Sequence, residues 1–247
     1  MEQEIEKLTK WLQEKIKEAN AEGLLVGLSG GIDSAVVANL IKRACPEASL
    51  GVIMPCKSDG EDEQHAKEVA EACGIKTVTI DLTTTHDTLL PTIQKQLRDS
   101  DLYKEEAQQL ADANLRARLR MSTLYTVGAN TGYLVTGTDN AAEWYTGYFT
   151  KYGDGGVDLV PLTNYTKGEV REMARDLGVP SSIVEKKPSA GLWEGQTDEN
   201  EMGTSYATID RYLKGEAIPE KDKEIIDSLH KRSHHKRQMP PAPPKDL

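Results

Sequence analysis

The eight residues Gly27-Leu28-Ser29-Gly30-Gly31-Ile32-Asp33-Ser34 carry the sharpest chemical pattern in the chain. They follow an apolar run, Leu24 to Leu28, that reads as a buried strand, and they open a stretch with helical spacing through Ile32, Val36 and Leu40. At such a junction, unpaired main-chain NH groups and the positive end of the helix converge on an anion. Gly30 and Gly31 permit positive φ and a close approach to the backbone. Ser29 and Ser34 add hydroxyl donors to phosphate oxygens. Asp33 would repel a phosphate unless a divalent cation stood between them, so it reads as a magnesium ligand. No Lys-Ser/Thr follows the glycines, which excludes a Walker A loop, and the pattern is not the dinucleotide GxGxxG. A tight turn with helix-capping residues is the plain alternative, but eight residues in this context favour a phosphate site.

The elements that must position this loop follow from periodicity. Ile5, Leu8, Leu12 and Ile16 give the first helix one apolar stripe. Strands are expected at 49–54, 75–82 and 133–138, and helices at 61–73, 86–98 and 104–130. Alternating strands and helices imply an α/β fold with one parallel sheet covered by helices on both faces. Thr166 and Glu169 have the spacing of a capping box for a helix ending at Leu177. Residues 186–203 are rich in Gly, Pro and acid without periodicity, which suggests a lid or a disordered loop. Residues 82–87 are expected as a second mobile loop, and 239–247 as a flexible tail. The whole of 1–247 reads as a single domain.

Composition excludes several classes. Forty acidic against 30 basic side chains give a formal charge of −10, unsuited to displacing counterions from a nucleic acid. No apolar run approaches the ~18 residues needed to span a bilayer. Three cysteines, Cys45, Cys56 and Cys73, cannot all pair within one chain and match no zinc spacing. A cytoplasmic location is the expectation.

The string SGGIDS resembles the phosphate loop of the ATP pyrophosphatases, which cleave ATP between the α and β phosphates to form adenylates. The resemblance implies a Rossmann-like, adenine nucleotide alpha hydrolase-like sheet. Three stretches, GTDNAAEWYTGYFTKYGDGGVDLVPL (137–162), TKGEVREMARDLGVP (166–180) and KKPSAGLWEGQTDE (186–199), resemble the ammonia-dependent NAD synthetases, as do NLRARLRM (114–121) and HKRQ (235–238). That implies amidation of deamido-NAD to NAD by ATP and ammonia, through an acyl-adenylate, as the last step of NAD biosynthesis. On the matching positions, Gly27 to Ser34, Thr138, Lys167 and Ser189 would bind ATP. Asp33 and Glu143 would hold Mg2+, and Asp33 and Lys167 would be catalytic. Arg118, Lys151, Asp158, His235 and Lys236 would bind deamido-NAD.

Each assignment has a bland competitor. Without the resemblance, Glu143 reads as an exposed helix carboxylate, Lys167 as a solvated lysine and Arg118 as a salt-bridged surface arginine. The basic stretch around His235 and Lys236 would be a disordered tail. Asn140-Ala141-Ala142 mixes two family patterns, which leaves the role of residue 140 open while keeping Glu143 in register. The resemblance also implies a homodimer, for which the long helix 104–130 and the first helix could pair across a two-fold axis. Only 26 residues precede the phosphate loop, so an attached glutaminase is not expected there and free ammonia is the expected donor. A tRNA-thiolating relative would need a catalytic cysteine pair and a basic surface. A non-catalytic relative would lack Asp33, Glu143 or Lys167, all of which are present.

Overall fold

The computed structural model describes residues 1–57, 60–188 and 197–245. Four parallel strands, β1 (Gly23–Leu28), β2 (Ser49–Ile53), β3 (Lys76–Thr79) and β4 (Tyr133–Thr136), form one sheet in the order β3-β2-β1-β4. Helices precede, connect and follow them: α1 (Glu2–Glu18), α2 (Ile32–Ala44), α3 (Gly60–Cys73), α4 (Thr83–Asp99) and α5 (Gln108–Thr131). After β4 come α6 (Ala141–Thr146), α7 (Lys167–Asp176), α8 (Ser181–Val184), α9 (Asp198–Met202), α10 (Tyr206–Leu213) and α11 (Glu220–Arg232). The expected α/β architecture is present.

Alternation along β1 divides the core. Leu24, Val26 and Leu28 join the stripe Ile5, Leu8 and Leu12 of α1 and the apolar faces of α2, α3 and α7. Leu25 faces the other way, packing with Val52, Val135 and the α5 side chains Leu119, Leu124 and Val127. Side chains of a strand point alternately to its two faces, so a central parallel strand must be apolar on both. A third cluster, built from Ala142, Met202, Tyr206, Ile209 and Ile226, ties α6, α9, α10 and α11 together beyond the sheet.

Several boundaries differ from the sequence reading. The third strand ends at Thr79, and α4 starts at Thr83. Residues 82–87, expected as a loop, are Leu82 and the first turns of that helix. The side chain of Asp81 accepts a hydrogen bond from the Thr83 NH, and buried His86 lies 2.6 Å from Asp112 of α5 through Nε2. The polar string Thr83-Thr84-Thr85 hides this, because the tie to α5 is tertiary. Lys104 opens a short 3-10 turn rather than the long helix, which starts at Gln108 and stops at Gly132 in the left-handed region. The expected capping box at Thr166 and Glu169 is formed. Within 186–203, residues 198–202 are helical, with the Thr197 side chain accepting from the Asn200 NH. Ser189 and the rest of 189–196 lie outside the described residues.

Among the described residues, no helix is long and apolar enough to cross a membrane. No disulfide joins Cys45, Cys56 and Cys73, and burial pushes each thiol above its ordinary range. A raised thiol carries less of the reactive thiolate. A disulfide-exchange reagent at pH 8 is therefore expected to titrate the three thiols more slowly in the native protein than after denaturation, followed by absorbance.

Candidate active site

β1 lies between β2 and β4, so the chain leaves its carboxyl end in one direction and returns on the opposite side. In open α/β sheets this switch point is where ligands bind. Gly30 adopts φ +77°, and a Cβ there would lie 2.5 Å from the Asp62 carbonyl oxygen and 2.9 Å from the His65 Cβ. The first turn of α3 thus rests directly on the loop, which leaves room only for glycine. Inside the turn, the Ser34 hydroxyl donates to the Gly31 carbonyl at 2.9 Å and lies 3.1 Å from the Ser29 hydroxyl. The Gly31 NH donates to Ser29 Oγ at 3.2 Å.

Three chain segments meet beside this loop. Lys167, at the start of α7 and 2% exposed, places Nζ 2.5 Å from Asp33 Oδ2 and 3.4 Å from Glu143 Oε1. Asn140 organises the segment after β4. Its side-chain oxygen accepts from the NH groups of Ala142 and Glu143, and its amide donates to Asp33 Oδ1 at 3.0 Å. Glu143 Oε2 accepts from the Asn140 NH at 3.1 Å, completing a capping box. Asp210 on α10 fixes the start of α7 by accepting from the NH groups of Lys167 and Gly168.

The electrostatics follow from this geometry. Burial pushes the Glu143 carboxyl up to about 7, with Lys167 pulling it down and Asp33 adding to the rise. Burial draws the Lys167 ammonium down, yet Asp33 and Glu143 outweigh it and hold the group above its usual range. With both carboxyls ionised, the single ammonium leaves one negative charge unbalanced. Two hard oxygen donors fit Mg2+, which commonly takes one or two carboxylates and fills its octahedron with water and substrate phosphate.

A cavity of about 470 Å3 opens over these groups. It collects Gly27, Leu28, Ser29, Gly31, Ile32, Asp33 and Ser34 with Thr138, Glu143, Lys167 and Lys236. Neither bland reading holds for Glu143 or Lys167: both side chains are largely buried and face one another. Lys236 Nζ donates to the carbonyls of Gly147 and Phe149, and 234–237 form an ordered 3-10 turn on α6. Arg118, Lys151 and His235 lie outside the cavity and form a surface chain of their own. The Arg118 guanidinium donates to the Lys151 carbonyl at 3.3 Å, and Lys151 Nζ to the His235 carbonyl at 2.6 Å. Asp158 binds the Val135 NH and the Tyr125 hydroxyl, away from the cavity.

Sequence reasoning left the role of Asn140 open and missed Asp139, Tyr206 and Asp198. Asn140 was legible, since Asn-x-x-Glu is the capping-box spacing. Asp139 is 5% exposed beside Asp33 and Glu143, and its Oδ2 has no hydrogen-bond partner among the described residues. Burial first, then the neighbouring carboxylates, raise its carboxyl well above the ordinary range. Tyr206 and Asp198 reach the site from distant helices, with no local pattern to mark them.

Two measurements test the arrangement. Lys167→Met leaves Asp33 and Glu143 facing each other, and removal of one partner from a buried ion pair costs about 3–5 kcal/mol. Urea unfolding without divalent ions should show a loss of that size. Gly30→Ala should cost about 1–3 kcal/mol for the left-handed backbone alone, and the contact with α3 should add to it in the same titration.

The model of the NAD synthase family matches residues 4–240. An NH(3)-dependent NAD(+) synthetase of Alkaliphilus oremlandii is 58% identical over 243 residues, 98% of this chain and 97% of that protein. Among solved structures, an NMN synthetase of Francisella tularensis superposes with a TM-score of 0.91 at 41% identity, over 98% of each chain. An NH3-dependent NAD synthetase of Campylobacter jejuni gives 0.78 at 27% identity, over 98% of this chain and 99% of that one. Matched by the family model over residues 4–240 and 58% identical to a relative over nearly its whole length, the chain belongs to the NAD synthase family.

Proposed function

We propose that this chain amidates deamido-NAD to NAD with ATP and ammonia. The observation that carries the reading is the Asp33–Glu143–Lys167 cluster beside the glycine loop, in a cavity that Ser29, Gly31 and Ser34 also line. Asp33 and Glu143 would hold Mg2+, which when bound neutralises charge on the pyrophosphate. The loop NH groups and the Ser29 and Ser34 hydroxyls would cradle the phosphates, with Thr138 and Lys167 contacting ATP beside them. Ser189 joins them by the family resemblance. The deamido-NAD carboxylate attacks the α-phosphorus and pyrophosphate leaves as Lys167 balances its growing charge. Ammonia then attacks the acyl carbon, loses a proton, and AMP departs. Ammonia as donor agrees with the similarity to the NH(3)-dependent NAD(+) synthetases of Alkaliphilus oremlandii and Alkaliphilus metalliredigens.

A second reading has its own support: the likeness to the NMN synthetase is stronger in both identity and superposition than that to the C. jejuni enzyme. On it, the acid would be a pyridine mononucleotide, and Lys236 would meet the substrate inside the cavity. Chromatography of reactions with ATP, magnesium and either acid, offering ammonium or glutamine, separates the readings. Deamido-NAD with ammonium is expected to be turned over fastest, and a strong preference for the mononucleotide acid would reverse the assignment. Asp33→Ala should cut turnover by at least about a hundredfold; a retained rate would sink the metal role.

Arg118, Lys151, Asp158 and His235 lie outside the cavity. We assign them to the dinucleotide within a homodimer. The apolar stripe of the first helix is spent in the core. The face of α4 and α5 can supply the contact: Leu89, Ile93, Leu97 and Leu110 are exposed there. The thiols fit a reducing compartment, and we place the enzyme in the cytoplasm. Sedimentation should show a dimer for the native chain and a monomer for Ile93→Asp/Leu97→Asp; a native monomer would overturn the shared site.

A further inference from the structure

We infer that Tyr206 is a positioning residue for the metal-binding carboxylate Glu143, an assignment that rests on the magnesium reading of Asp33 and Glu143. Glu143 lies in the first turn of a helix only six residues long. One carboxylate oxygen is taken by the Asn140 NH. The other, Oε1, accepts from the Tyr206 hydroxyl at 2.8 Å and lies 3.4 Å from Lys167 Nζ. Of these two partners of Oε1, Lys167 is the one that must turn toward phosphate when ATP is bound. Tyr206 then becomes the neutral donor that keeps this oxygen in place.

Nothing about Tyr206 is free to drift. It is 1% exposed, its ring packs with Ala142, Met202, Ile209 and Ile226, and its NH donates to Glu199 Oε1 at 2.9 Å. Its hydroxyl also lies 2.9 Å from Asp198 Oδ2, and the Tyr148 hydroxyl holds the other oxygen of Asp198 at 3.2 Å. Lys167 Nζ sits 4.7 Å from the Tyr206 ring centroid, so one side chain touches both the ligand and the lysine that balances it. A hydroxyl carries a single proton, and here it is aimed between two buried carboxylates, an expensive arrangement that core packing alone does not require. Groups that orient a metal ligand typically alter metal affinity about 10–100-fold when removed.

Tyr206→Phe keeps the ring and removes only the hydroxyl. The test measures Mn2+ binding by electron paramagnetic resonance, in the presence of α,β-methylene-ATP, which cannot be cleaved at the reacting bond. Wild type, Tyr206→Phe, Asp198→Asn and Asp33→Asn are compared, with thermal melting as the check on folding. Tyr206→Phe is expected to bind Mn2+ about tenfold more weakly while melting as a folded protein. Asp198→Asn, which still offers the hydroxyl an acceptor, is expected to weaken binding less. In turnover, the Mg2+ concentration for half-maximal rate should rise for Tyr206→Phe more than the KM for ATP at saturating Mg2+. Unchanged Mn2+ affinity in Tyr206→Phe, with Asp33→Asn weakened, overturns the positioning role alone. Wild-type affinity in Asp33→Asn overturns the metal site itself and the inference with it.

Discussion

A buried ammonium between two buried carboxylates fixes most of this structure. Lys167 cannot leave water without Asp33 and Glu143, and they cannot face one another without it. Satisfying that demand requires the turn after β1, the segment after β4 and the start of α7 to meet within hydrogen-bond distance. The helices around them serve this meeting. Asn140 bonds Glu143 and Asp33 at once, and Asp210 pins the backbone of Lys167 from α10. The sheet supplies the platform, and the charge cluster decides how the later helices lie on it.

The site also answers the question posed by the acidity of the chain. A protein of net charge −10 must bind two polyphosphate ligands. On the proposed reading, main-chain NH groups, which carry no net charge, and a few cations close to the cavity would do this. Lys167, Lys236 and Arg120 all line that cavity. Over distances beyond about 8–10 Å the general field is screened by salt, so local donors decide the outcome.

How much could be read in advance depended on how local the cause was. The glycine loop was legible because β1, the turn and α2 are consecutive and each has its own pattern. The capping box at Thr166 was legible for the same reason, and the one at Asn140 could have been. The start of α4 was not, because a buried contact between His86 and Asp112, 26 residues apart, overrides a string of threonines. Burial of Glu143 and Lys167 was equally hidden. Spacing gives a lysine beside a helix start, and only the folded chain brings Asp33 to it across 134 residues. Tyr206 had no pattern to betray it, since an aromatic at helical spacing is most often core, and its ring is indeed core.

The Lys167 ammonium has one more consequence. Because it satisfies Asp33 and Glu143 within the protein, the acidic pocket is assembled before any ion or nucleotide arrives. The chain carries its own counter-charge, as a lock carries a dummy key. Folding is thereby uncoupled from loading: a chelator should empty such a pocket without unravelling it. Neither the order in which ligands enter nor the ion content of the surroundings need be dictated by the stability of the fold.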